Sequence, residues 1–175
     1  MIFFRNLALQ ELKQIDRLLK LGVKHIIVLN GRDVTYAPLA TVFAKIKATS
    51  AAEQSTFLQN FRHDIQVYNQ QLAAGLKNKP SIFMYDIYQF DHAIINKMHQ
   101  GGYPYQMGAE HFVLKNAQVG CYDNVQGEYQ GMAGTVCTHS PEYFFYDRIH
   151  TTKNVNYLLA EDVYKQFLQF NNKGH

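Results

Sequence analysis

The sequence predicts an α/β fold with parallel strands, and three observations predict it. Two short apolar runs, Lys24–Leu29 and Ser81–Ile87, are continuous rather than alternating, the pattern of strands covered on both faces. A long amphipathic stretch separates them, as a helical crossover between parallel neighbours requires. The order along the chain is helix, strand, helix, strand, helix, long loop, helix, and strands that alternate with helices form parallel sheets.

The elements follow in order. Leu12, Ile15, Leu18, Leu19 and Gly22 read as an amphipathic helix ending at a glycine cap. The run through Ile26, Ile27, Val28 and Leu29 is the first strand, Asn30-Gly31-Arg32-Asp33 turns the chain, and Pro38 is expected to end regular structure. Ser50-Ala51-Ala52-Glu53 is a capping box. It opens a long helix whose apolar stripe is Phe57, Phe61, Ile65, Tyr68, Leu72 and Leu76, stopped by Asn78-Lys79-Pro80. The second strand is Ser81–Ile87, and a shorter helix is expected around Ala93–Met98, broken by Gly101-Gly102-Tyr103-Pro104. Gly101 to Ser140 is expected to be long and mostly irregular. Tyr143–Tyr146 reads as an extended lead, and Thr152 as the N-cap of a last helix with Val155, Leu159, Val163, Phe167 and Phe170 inward. Two parallel strands cannot cover their own faces, so the chain reads as part of a larger sheet.

A chain of 175 residues, 47% hydrophobic and 18% charged, has the size and composition of one folded domain. Net charge is only +3 and the lysines are dispersed, which argues against a nucleic-acid groove. No apolar run approaches the roughly 20 residues of a membrane span. The apolar start, Met1 to Asn6, is too short for a secretory signal.

Tyr146-Asp147-Arg148-Ile149-His150-Thr151-Thr152-Lys153 carries the chemistry. A carboxylate three residues before a histidine can fix the ring tautomer and stabilise the imidazolium formed when the ring takes a proton. The N-terminus of the helix that follows disfavours a charged ring, so the two influences oppose each other. The same spacing also suits an Asp that merely caps a turn. Cys121 and Cys137 lie in the irregular segment, and a bridge between them would contribute about 3 kcal/mol and imply an oxidising compartment; two unpaired thiols are the alternative. Asp86, Asp91, His92 and His99 read as a solvated helix face rather than a metal site, and His63 and Asp64 as surface. Tyr103, Tyr105, Met107, Phe112, Tyr122, Tyr129 and Met132 either line an acyl-chain groove or form the core of the long loop.

The chain resembles the C-terminal half of the GDSL family of SGNH lipases and esterases, in its secreted bacterial branch of lysophospholipases, thermolabile haemolysins and glycerophospholipid–cholesterol acyltransferases. Four places carry the resemblance: Leu21 to Asn30 with Asp33 and Pro38; Tyr68-Asn69 to Leu72; Met84-Tyr85-Asp86-Ile87-Tyr88; and Tyr143 to Thr152, which is similar to the family's aromatic-Asp-x-x-His-Pro-Thr block. Thr151 stands where the family has proline. The resemblance implies a three-layer α/β/α, flavodoxin-like fold and a serine ester hydrolase acting on lipid or lysophospholipid esters. It implies His150 as general base, Asp147 as its orienting partner, and a disulfide between Cys121 and Cys137, hence an extracellular or periplasmic location. No cofactor and no metal are expected.

The family's Gly-Asp-Ser, oxyanion-glycine and Gly-x-Asn-Asp blocks do not occur in this sequence. Ser50, Ser55, Ser81 and Ser140 do not sit in a strand-to-helix turn of the nucleophile kind. Residues 1–175 are therefore expected to form one partial domain, nearly inactive alone, with the serine supplied by a complementing N-terminal segment. Two alternatives are a non-catalytic remnant or binding module that keeps the late elements of the fold, and a cytosolic flavodoxin-like binding protein with free thiols.

Overall fold

The computed structural model describes residues 2–123 and 135–172. The fold is mixed α/β, with five helices and short strands in both parallel and antiparallel pairs among these residues.

Helix α1 (Ile2–Lys20) starts well before Leu12 and ends at Gly22, whose φ of +89° is the left-handed conformation that glycine adopts at no steric cost. Strand β1 (Ile26–Leu29) follows, then a 3-10 turn at Val34–Tyr36. Pro38 does not end regular structure: it is the first residue of helix α2 (Pro38–Lys47), where the missing N–H costs nothing and the fixed φ suits the helix. Helix α3 (Ala51–Leu76) opens on the Ser50–Glu53 capping box, with both reciprocal bonds made. Strand β2 (Ile82–Tyr85) pairs in parallel with β1, Ile26 opposite Ile82 and Leu29 opposite Tyr85. Helix α4 (Ile87–His99) begins six residues before Ala93, because the Asp86 carboxylate caps it by accepting from Gln89 N–H.

The described residues between Gly101 and Ser140 are more regular than their composition suggests. Strands β3 (Tyr103–Met107) and β4 (Glu110–Leu114) form an antiparallel hairpin, and Gly108 at its tip has φ +63°. Strand β5 (Asn116–Gly120) is followed by the short antiparallel pair β6 (Tyr122–Asp123) and β7 (Thr135–Val136). Strand β8 (Tyr143–Phe145) lies parallel to β5, and helix α5 (Lys153–Asn171) follows it.

The β1–β2 pair has helices on both faces. Ala8 and Ile15 of α1 and Leu72 and Leu76 of α3 pack with Val28 and Ile82 on one side. Gly75 marks the closest approach of those two helices, since an added Cβ would meet Leu12 at 2.3 Å. On the other side Phe83 and Tyr85 pack with Leu159, Val163, Phe167 and Phe170. The α5 stripe thus covers β2 while β1 keeps Ile27 and Leu29 42% and 40% exposed.

A second core, Ile94, Ile95, Met98, Tyr105, Leu114, Phe144, Phe145 and Val155, joins α4, the hairpin, β8 and the start of α5. Tyr103, Met107 and Phe112 pack against it, and Tyr105 stacks on Phe112 at 5.4 Å, so these aromatic residues serve as core. Tyr129 and Met132 lie outside the described residues. Among the described residues no helix is long and apolar enough to cross a membrane.

Candidate active site

The loop from Tyr146 to His150 is closed at its base by backbone. Phe145 bridges Thr151, Tyr146 N–H donates to His150 C=O at 2.7 Å, and Thr152 N–H donates to Phe144 C=O at 3.0 Å. Inside this loop Asp147 Oδ1 accepts from the N–H groups of Ile149 at 2.8 Å and His150 at 2.7 Å, an Asx turn. Its other oxygen, Oδ2, lies 2.7 Å from His150 Nδ1. The structure thus brings the two residues together, with the imidazole 77% exposed and the carboxylate 29% exposed. With Nδ1 engaged, Nε2 is the nitrogen left to act on a hydroxyl.

Partial burial pushes the Asp147 carboxyl up, but the N–H groups of His150 and Ile149 and the His150 ring outweigh it and hold the group below its ordinary range. A depressed folded-state pKa stabilises the fold above the unfolded carboxylate value of about 3.9, and that contribution is lost as pH falls through the folded value. The stability advantage of the wild type over Asp147→Asn should therefore hold above about pH 5 and shrink progressively as pH falls below it, measured by paired urea titrations.

Neighbouring strands fix where the loop sits. Cys121 N–H donates to Phe145 C=O at 3.0 Å and Cys137 N–H to Cys121 C=O at 2.7 Å, while Tyr122 stacks on Tyr146 at 6.2 Å. Cys121 and Cys137 are disulfide-bonded, with Cα atoms 4.8 Å apart, and clamp the β6–β7 pair against the loop. Gly120 packs so closely that an added Cβ would meet the C and O atoms of Asp147 at 2.6 Å. Backbone atoms cannot swing aside. Gly120→Ala should cost about 1–3 kcal/mol in denaturant titrations and displace the Asp147–His150 pair, seen as shifted His150 ring resonances.

The loop abuts the carboxyl end of β1. Leu39 N–H donates to Arg148 C=O at 2.9 Å, and Arg32 Nη1 reaches Thr151 Oγ1 at 3.4 Å. Arg32 also grips Asp91 with two bonds of 2.7 Å. Burial raises the Asp91 carboxyl above its ordinary range in spite of that guanidinium. Asp33 is fully buried and holds Arg62 at 2.6 Å and His92 at 2.8 Å through one oxygen. Asp91 and His92 are therefore not a solvated face, as their sequence context suggests: α4 starts earlier and turns them inward to Arg32 and Asp33. His63 and His99 are exposed. Asn69 clasps Gly31, accepting from its N–H at 2.7 Å and donating to its C=O at 2.9 Å. No local signal announces this network, because its partners are remote in sequence: Arg32 and Asp91 are 59 residues apart.

The cleft between Arg32, Tyr36, Asp91, Ile149 and Thr151 measures about 30 Å³, the space of one water molecule. Ser50 caps α3 and Ser55 accepts from Gln59, and none of the hydrogen bonds among the described residues joins a serine to His150. Among the described residues no group of three His, Cys, Asp or Glu could hold a metal ion. Compared with models of known protein families and with curated proteins, the chain matches none.

Proposed function

We propose that this chain supplies the acid–base half of a GDSL-type serine ester hydrolase with a flavodoxin-like fold, acting on lipid or lysophospholipid esters. The observation that carries the reading is the 2.7 Å Asp147–His150 contact on an exposed loop beside the carboxyl end of β1. In an open α/β sheet that end is where ligands bind. His150 Nε2 takes the proton of a serine hydroxyl as the serine attacks the ester carbonyl, and the Asp147 carboxylate stabilises the imidazolium. The ring then returns the proton to the leaving alcohol. The serine and the oxyanion donors come from a complementing segment. The edge of β1 away from β2, its one partner among the described residues, is the place for its strands, and the segment would also cover Ile27 and Leu29 on the adjoining face. The Cys121–Cys137 bridge supports an oxidising, extracellular or periplasmic setting.

The test is co-expression with an N-terminal segment bearing the Gly-Asp-Ser block, assayed on a p-nitrophenyl acyl ester. Turnover should need both pieces and be abolished by His150→Ala. Strong esterase activity from this chain alone, or complementation that survives His150→Ala, overturns the reading.

A further inference from the structure

Helix α4 borders two clefts. Asp91 and Ile95 line the water-sized one beside Thr151, while Phe90, Ile94 and Lys97 line another, of about 530 Å³, that the hydrolase reading does not use. The two share no lining residue. The larger cleft is walled by Tyr85 at the end of β2, by Tyr103 of β3 and by α5, and its size is that of a small-ligand pocket. It continues past Tyr103. An adjoining cavity of about 470 Å³ shares Tyr103, Leu158, Glu161 and Lys165 with it and extends to Pro104 and Tyr157. The space is therefore elongated.

Asp162 is the fixed acceptor of the larger cleft. Its Oδ2 accepts from the Tyr85 hydroxyl at 2.6 Å and from Gln166 Nε2 at 2.8 Å, which leaves Oδ1 to accept from a ligand. Tyr85 is 1% exposed, so the carboxylate is anchored from the core. Burial first, and then the Asp162 carboxylate, push the Tyr103 hydroxyl above its ordinary range, so the phenol stays a neutral donor. Lys97 Nζ stands 5.4 Å from the centre of the Tyr103 ring, and Lys165 pairs only loosely with Glu161, at 3.9 Å. Both lysines thus line the cleft beside the carboxylates of Asp86, Glu161 and Asp162, and neither sign dominates it.

We propose that this cleft binds a neutral oligosaccharide. An anion would meet the carboxylates and a cation the two ammonium groups, so a ligand without net charge fits the mixed lining. A sugar ring matches what the lining offers. Its hydroxyls both donate and accept, and charged partners make the stronger hydrogen bonds with them. Its C–H face suits the electron-rich faces of Phe90, Tyr103 and the 36% exposed Tyr157. A short chain of such rings suits the length of the space. A peptide would need a strand edge or apolar side-chain pockets, and Pro104, which borders the outer part, has no N–H to pair with one. The inference stands without the hydrolase reading, and its test needs no activity.

The full chain is titrated calorimetrically with cellotriose, maltotriose and tri-N-acetylchitotriose, and with the matching monosaccharides. At least one trisaccharide should bind with a Kd below about 1 mM, and about tenfold or more tighter than its monosaccharide, because only the longer ligand spans both parts of the cleft. Asp162→Asn keeps an oxygen for the Tyr85 hydroxyl and should weaken that binding by about tenfold or more. Lys97→Met keeps an unbranched stem over Tyr103 and should weaken it several-fold. His150→Ala should leave it unchanged. Absence of saturable binding by all three trisaccharides, or binding that neither cleft variant reduces, overturns the proposal. So does binding lost with His150→Ala, which would place the sugar at the candidate active site. Tetra-alanine binding more tightly than every trisaccharide would make the cleft a peptide site and overturn it too.

Discussion

Replacing Asp33 by Ala is expected to lower folding stability by about 3–5 kcal/mol, read as a fall in the urea midpoint with unchanged slope. The Asp33 side chain has no exposure to solvent. One oxygen serves both Arg62 Nε at 2.6 Å and His92 Nε2 at 2.8 Å, and the other accepts from Thr35 N–H at 3.1 Å and from the Thr35 hydroxyl. Without the carboxylate, four groups from three residues around a buried point lose their partner at once. Arg62 is 35% exposed and recovers part of the loss by turning to water; Thr35, 7% exposed, has little such freedom. Asp33→Asn should cost less, since an amide oxygen can still accept from Thr35. A midpoint unchanged in the alanine variant would mean that the network is incidental to folding.

Its consequences reach the candidate site through backbone. Asp33 caps the 3-10 turn at Val34–Tyr36, that turn leads into α2, and Leu39 of α2 holds Arg148 C=O at 2.9 Å. Loosening Asp33 therefore frees one of the anchors of the loop that presents His150.

What sequence makes visible here is local. The Ser50–Glu53 box, the Thr152 cap and the Asp147–His150 pair are formed by residues three apart, so one stretch of chain contains all their partners. The apolar runs of β1 and β2 are legible for a related reason: each is continuous, with no polar alternation to hide it, although β1 leaves Ile27 and Leu29 partly uncovered. Pro38 misleads because proline both stops helices and starts them, and only the chain beyond it decides which. The β3–β4 hairpin is masked by Pro104 within a strand and by glycines on either side. Proline is tolerated there because the two-stranded sheet leaves an edge that needs no donor. The parallel pairing of β5 with β8 and the ion pairs of Arg32 and Asp33 join residues tens of positions apart, and no periodicity encodes such meetings.

Asp147→Asn is the substitution that separates a working base from a capped turn. In a complex complemented with the serine-bearing segment, it should reduce turnover by about 10³–10⁴-fold while the loop keeps its shape. Asparagine retains an oxygen able to accept from Ile149 and His150 N–H, now at 2.8 and 2.7 Å, so the Asx turn persists. Its amide nitrogen would face His150 Nδ1 where Asp147 Oδ2 stands at 2.7 Å. An amide N–H is a donor, so Nδ1 must become the acceptor and the ring proton moves to Nε2. A ring protonated at Nε2 cannot take the serine proton, and no carboxylate remains to stabilise the imidazolium. His150→Ala, which removes the base itself, should cost more than the Asn variant, and combining the two should cost little more than His150→Ala alone, because the pair acts as one unit. If Asp147 did no more than cap the turn, its asparagine variant would turn over ester at the wild-type rate, and the imidazole would lose its assigned role as a carboxylate-oriented base.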